Sequence, residues 1–193
     1  MFELYNEYKK LNIDGSFIGL EDGDEEGGYF CTPVGAKVIG WDNGIHYCFI
    51  DGFGEMVFCV NPESFCDYYV YPIAENFRDF LSLLVAAKNT NELQQMIVWE
   101  REDWEEFKND EANIEWNEKE EVVSAIEKIA EELDIEPMED PFSYVKELQE
   151  DFPYEKIEFT DEYYETSGEI NPNRDEYEDD DFDEDDEEAS YLY

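Results

Sequence analysis

The chain has 193 residues, is 42% hydrophobic and 17% aromatic, and carries a formal charge of −43. A disordered chain would be poor in aromatics, so a folded core is expected, and the negative field disfavours nucleic-acid phosphates and anionic lipids while attracting basic proteins or divalent cations. No apolar run is long enough to span a bilayer, and Met1-Phe2-Glu3 lacks the basic start of a secretory signal, so a cytoplasmic protein without membrane or nucleic-acid partners is expected.

The charge is uneven. Residues 1–98 hold 16 acids against 5 bases, and residues 99–193 hold 39 against 7. In chain order, residues 2–12 suit a short helix, with Phe2, Leu4, Tyr5, Tyr8 and Leu11 apolar and Lys9-Lys10 near its end. Residues 21–28 form an acidic, glycine-rich loop that lacks the alternating ligands and late glutamate of a calcium loop. A short strand over 29–32 is expected, closed by Pro33.

Residues 35–87 are the one long stretch whose apolar residues clearly outnumber its charges. Three strands are predicted, over 36–41, 45–51 and 55–61, with Asp42-Asn43-Gly44 turning between the first two. Asp51-Gly52-Phe53-Gly54 suits a two-residue hairpin loop, which sets Phe49 opposite Met56 and Tyr47 opposite Phe58. That register places Tyr47, Phe49, Met56 and Phe58 on one face, and His46, Cys48, Ile50, Val57 and Cys59 on the other. Both faces are apolar, so cover on both sides of the sheet is expected. A helix follows over 73–87, with Pro72 just before it and Ile73, Phe77, Phe80, Leu81, Leu84 and Val85 as its stripe.

Beyond Asn89 the pattern is mainly helical. Asn89-x-x-Glu92 and Asn117-x-x-Glu120 have the form of capping boxes, a boundary between helices falls within 99–104, and Asp140-Pro141 is a strong helix start. Residues 157–164 predict a last strand or an ordered strap. Residues 175–188 contain twelve acids in fourteen positions, and 171–193 is expected to be a disordered acidic tail. The expected architecture is α+β: a mainly antiparallel sheet, core about 29–72, packed by helices over about 73–152, in a single domain of 1–165.

The order Gly-Trp-Asp turn (Gly40, Trp41, Asp42), second strand, glycine turn, third strand, then Ala74, Phe77, Phe80 and Leu81 resembles the core of the SUKH superfamily. That superfamily includes bacterial immunity proteins of toxin systems and yeast cell-wall-synthesis regulators. The resemblance covers about 32–87. It implies a non-enzymatic protein-binding module, with an immunity protein that neutralises a basic toxin as one form and a regulatory scaffold as another. Trp41, Asp42, Asn43 and Gly44 are the candidate binding residues.

Enzyme chemistry finds little support. No phosphate loop, Gly-x-Ser-x-Gly or His-Glu-x-x-His occurs, and His46 is the only histidine. The expected register would bring His46, Cys48 and Cys59 to one face as a three-ligand metal group, and Asp42 or Asp51 could orient His46 as a base. Set against this, Cys31, Cys48, Cys59 and Cys66 form no Cys-x-x-Cys pair, and strand cysteines serve as small hydrophobes in a reducing cell. No catalytic residue, metal or cofactor is therefore assigned, and a metal-dependent or hydrolase-like enzyme is the weaker alternative.

Overall fold

A computed structural model describes residues 2–23, 28–64 and 66–172. The expected acidic tail falls almost wholly outside these residues. The first helix, α1 (Glu3–Lys10), has Glu3 in its first turn and Lys9-Lys10 in its last, each matching the backbone dipole. It buries Tyr5 and Tyr8, and Tyr5 meets Phe49 and Phe77 edge-on at 5.5 and 5.3 Å. The strand expected over 29–32 is instead a turn. There the Tyr29 amide donates to the Thr32 hydroxyl at 2.8 Å and the Thr32 amide to the Tyr29 carbonyl at 2.9 Å.

The sheet is antiparallel, in the order β1 (Ala36–Asp42), β2 (Ile45–Ile50), β3 (Val57–Val60) and β4 (Val70–Ala74). Asn43 (φ 47°) and Gly44 (φ 90°) both occupy positive φ, as the tight turn joining Asp42 to Ile45 demands. On the outer side of β1, Glu21 and Trp41 exchange both backbone hydrogen bonds at 2.9 Å. That bridge brings Leu20 against Gly40 so closely that a Cβ there would lie 3.0 Å from the Leu20 Cα. Gly40 is therefore a point of close approach.

The β2–β3 register differs from the expected one by a single residue. Tyr47 pairs with Cys59, Cys48 with Phe58 and His46 with Val60. Two turns run in succession, with the Phe53 amide bonded to the Ile50 carbonyl and the Met56 amide to the Phe53 carbonyl. Phe53 packs on Phe58 and Phe152 at 5.3 and 5.6 Å, so the loop is longer than the two-residue form and is drawn over the sheet. The slip exchanges the faces of β3. Tyr47, Phe49, Val57 and Cys59 share the larger core, and Cys48, Ile50, Phe58 and Val60 share the smaller one.

The expected helix start is also corrected. Pro72 and Ile73 belong to β4, and the helix α2 spans Phe77–Ala87, with Asn76 accepting the Asp79 amide as its cap. A proline in a strand is tolerated at a sheet edge, where its missing N–H leaves no ladder bond broken. That edge is closed by a helix from later in the chain, α7 (Pro141–Glu150). Gln149 Nε2 donates to the Pro72 carbonyl at 3.1 Å, and the Glu75 amide donates to the Tyr144 hydroxyl at 2.9 Å.

Between α2 and α7 lie α3 (Asn91–Gln95), α4 (Arg101–Lys108), α5 (Glu111–Asn117) and α6 (Glu120–Leu133). The Asp140 carboxylate caps α7 through the Ser143 amide, as Asp140-Pro141 predicted. The two capping boxes are not formed. Asn89 instead accepts the Asn91 amide, Glu92 turns inward, and Asn117 ends α5, where it accepts from the Asn89 side chain. After α7 the chain forms a strap that ends in α8 (Asp161–Ser167), with no strand within it. Helices α1, α2, α6 and α7 cover one face of the sheet, while Phe152, Ile157 and Tyr163 from the strap and α8 cover the other. No helix among the described residues is long and apolar enough to cross a membrane.

Candidate functional site

The Asn43-Gly44 turn helps to line a cleft of about 370 Å³. The turn and Ile45 line one part, residues 61–64 another, and Gln94, Gln95, Ile97 and Val98 a third. Ile45, Pro62, Ile97 and Val98 are apolar, and Val98 is 51% exposed. Asn43, Asn61, Gln94 and Gln95 add amides that both donate and accept. Among the described residues, Glu63 is the one charged residue of the lining.

The cleft is shaped by how α3 is held on the sheet. The Tyr71 hydroxyl donates to the Gln94 carbonyl at 2.6 Å, and in turn accepts from Cys59 Sγ at 3.4 Å. The Tyr47 hydroxyl lies 3.4 Å from the Thr90 carbonyl and 3.5 Å from Gln94 Oε1. Both tyrosines are fully buried, and burial pushes their phenols well above the usual range, so they remain hydrogen-bond donors. The Thr90 hydroxyl is 2.9 Å from Asp42 Oδ2 and 3.3 Å from the Gly19 carbonyl, which ties the start of α3 to the β1–β2 hairpin.

The four candidate binding residues thus divide. Asn43 and Gly44 line the cleft. Asp42 supports it from behind through Thr90. Trp41 is half-buried, with its ring 4.7 Å from that of His46 and 5.9 Å from that of Tyr29. Residues 61–64 and 94–98 carried no sequence signal for this site, because folding alone brings them beside the turn.

The His46 and cysteine grouping is undone by the register. His46 is fully buried and faces Val60, while Cys59 sits on the opposite face with Tyr71. Its ring stacks on Tyr29 at 5.7 Å, Nε2 lies 3.5 Å from the Thr32 hydroxyl, and Nδ1 has no hydrogen-bond partner among the described residues. Burial lowers the His46 pKa to about 4, so the ring is neutral near pH 7. Burial also raises Cys31 to about 11 and Cys59 to about 12, which leaves both as inert thiols. Among the described residues, no three His, Cys, Asp or Glu side chains converge closely enough to hold a metal ion.

Glu92 is the titratable group that sequence reasoning missed. It is 4% exposed, and its carboxylate accepts from Trp104 Nε1 at 2.6 Å. Burial raises its pKa to about 7, against the opposing pull of that hydrogen bond and of Lys108, whose ammonium lies 4.2 Å from the Trp104 ring. It meets Trp104 in the interior and is not among the described residues that line the cleft.

Comparison with family models, with curated proteins and with solved structures finds no match to this chain.

Proposed function

We propose that this chain is a non-enzymatic protein-binding module whose partner is basic, and that the partner docks at the cleft beside Asn43 and Gly44. The observation that carries this is the make-up of the cleft among the described residues: apolar walls, four amides, one acid and no base, on a chain of charge −43. Amides that donate and accept suit a peptide backbone, and apolar walls suit its side chains. The surrounding negative field would draw a basic partner to it and repel anionic ones. The resemblance to the SUKH superfamily narrows the partner to a basic toxin and the role to immunity. We place this role in the cytoplasm, in keeping with four cysteines that form no disulfide.

The test is affinity capture from the native cell at physiological salt, using the full chain and a Val98→Arg variant. Val98 is exposed, so the substitution leaves the core intact and sets a cation in the cleft. The expected result is retention of a basic protein by the parent chain and its loss with the variant. Equal retention by both, or retention of acidic proteins, would refute the proposal.

A further inference from the structure

A second hollow, of about 320 Å³, lies where the strap passes the residues leading into β4. Among the described residues that line it, six are aromatic: Tyr68, Tyr69, Tyr154, Phe159, Tyr163 and Tyr164. Two ring pairs are nearly parallel, Tyr68 with Tyr154 at 3.8 Å and 16°, and Phe159 with Tyr163 at 4.0 Å and 13°. Tyr69 and Tyr164 meet Tyr163 edge-on at 6.2 and 5.2 Å, so the rings hold one another in place. Tyr163 is further fixed by donating to Glu169 Oε1 at 3.0 Å.

Three carboxylates among the described residues share the lining: Asp67, Glu155 and Glu169. All three are exposed, and among the described residues none is ion-paired. Aromatic faces carry negative charge density, and Tyr68 is 42% exposed, so its ring and the carboxylates together attract a cation. An anion is repelled by both. A neutral apolar group would strip water from the carboxylates without replacing its hydrogen bonds. A metal ion is disfavoured because the acids do not converge on one point.

Of organic cations, a guanidinium fits this chemistry best. It is planar, stacks on aromatic rings, and offers five donors in a fork that matches carboxylates. An ammonium offers neither a plane nor a fork. We propose that this hollow is an arginine-binding site, receiving an arginine side chain from a basic protein partner. The site rests on the reading of the partner as basic, and it lies apart from the cleft beside Asn43 and Gly44, since the two linings share none of the described residues. A partner that reaches both would be gripped at two points of the same negative surface.

The test is a titration of the full isotope-labelled chain, followed by amide resonances at 0.15 M salt. Two peptides are compared, with equal length and charge, one built on arginine and one on lysine within glycine and serine. The negative field treats them alike, so any preference comes from local chemistry. The arginine peptide is expected to bind roughly fivefold tighter and to shift Tyr68, Tyr69, Tyr163 and Tyr164. The double variant Glu155→Gln, Glu169→Gln should weaken it about tenfold while changing the lysine peptide far less. Tyr68→Leu keeps apolar cover, removes the ring, and should also reduce the preference. Equal affinities, or arginine-specific shifts confined to Asn43, Gly44 and Gln94, would overturn the site and leave the basic partner standing. Failure of both peptides to bind would overturn the site and count against the basic partner as well.

Discussion

Glu92→Gln removes one buried charge while keeping shape and leaving Trp104 an acceptor. Glu92 has its pKa raised from 4.5 to about 7, and a shift of that size corresponds to about 3 kcal/mol. The folded state holds the proton more tightly than the unfolded state. Stability from Glu92 is therefore fully present below pH 4.5 and is lost as pH rises through about 7. His46 acts in the opposite direction. Its pKa falls from 6.5 to about 4, so its contribution is present above pH 6.5 and is lost as pH falls toward 4. Between about pH 4.5 and 6.5 the two slopes offset each other in the parent protein.

Glu92→Gln should expose the His46 slope. Urea unfolding of parent and variant from pH 4 to 8 measures it, and the many exposed acids common to both cancel in the difference. Near pH 4 the two proteins should have similar stability, because Glu92 is protonated in both states. By pH 8 the variant should be more stable relative to the parent by about 3 kcal/mol. A difference that stays constant across this range would refute the argument, since it would mean that Glu92 ionises in the fold as it does in water.

Phe80 is fully buried between sheet and helices, so Phe80→Ala should lower unfolding free energy by about 3–5 kcal/mol in denaturant titration. Gly19 sits at φ 74°, and a Cβ there would come within 1.8 Å of the Thr90 hydroxyl. Gly19→Ala should therefore cost about 2 kcal/mol or more, with weakened amide-exchange protection in α3. Under native conditions a thiol reagent should modify Cys66 alone, because Cys31, Cys48 and Cys59 are completely buried. Rapid reaction of a second thiol would contradict that packing.

Local chemistry alone marks some of these elements. Asn43-Gly44 marked its turn because both residues accept positive φ, and Asp140-Pro141 marked a helix start because one caps and the other pre-sets φ. The register error arose where local chemistry is silent. Both faces of β3 are apolar, so hydrophobic alternation fits either pairing, and only Phe53 packing on Phe58 and Phe152 selects the longer loop. Pro72 hid β4 because it reads as a helix entrance, while the features that permit it, an edge position and Gln149 on its carbonyl, lie on a distant helix. The candidate sites follow the same rule. Half of the cleft's signal was its turn, but Gln94 and Gln95 reach it only because Tyr71 and Tyr47 bond to the residues around them. Glu92 was hidden in another way. With 55 acids in the chain, no sequence pattern separates the carboxylate that meets Trp104 from those that meet water. In such a chain composition sets the sign of the surrounding field, and only burial identifies the acid whose titration the fold will feel.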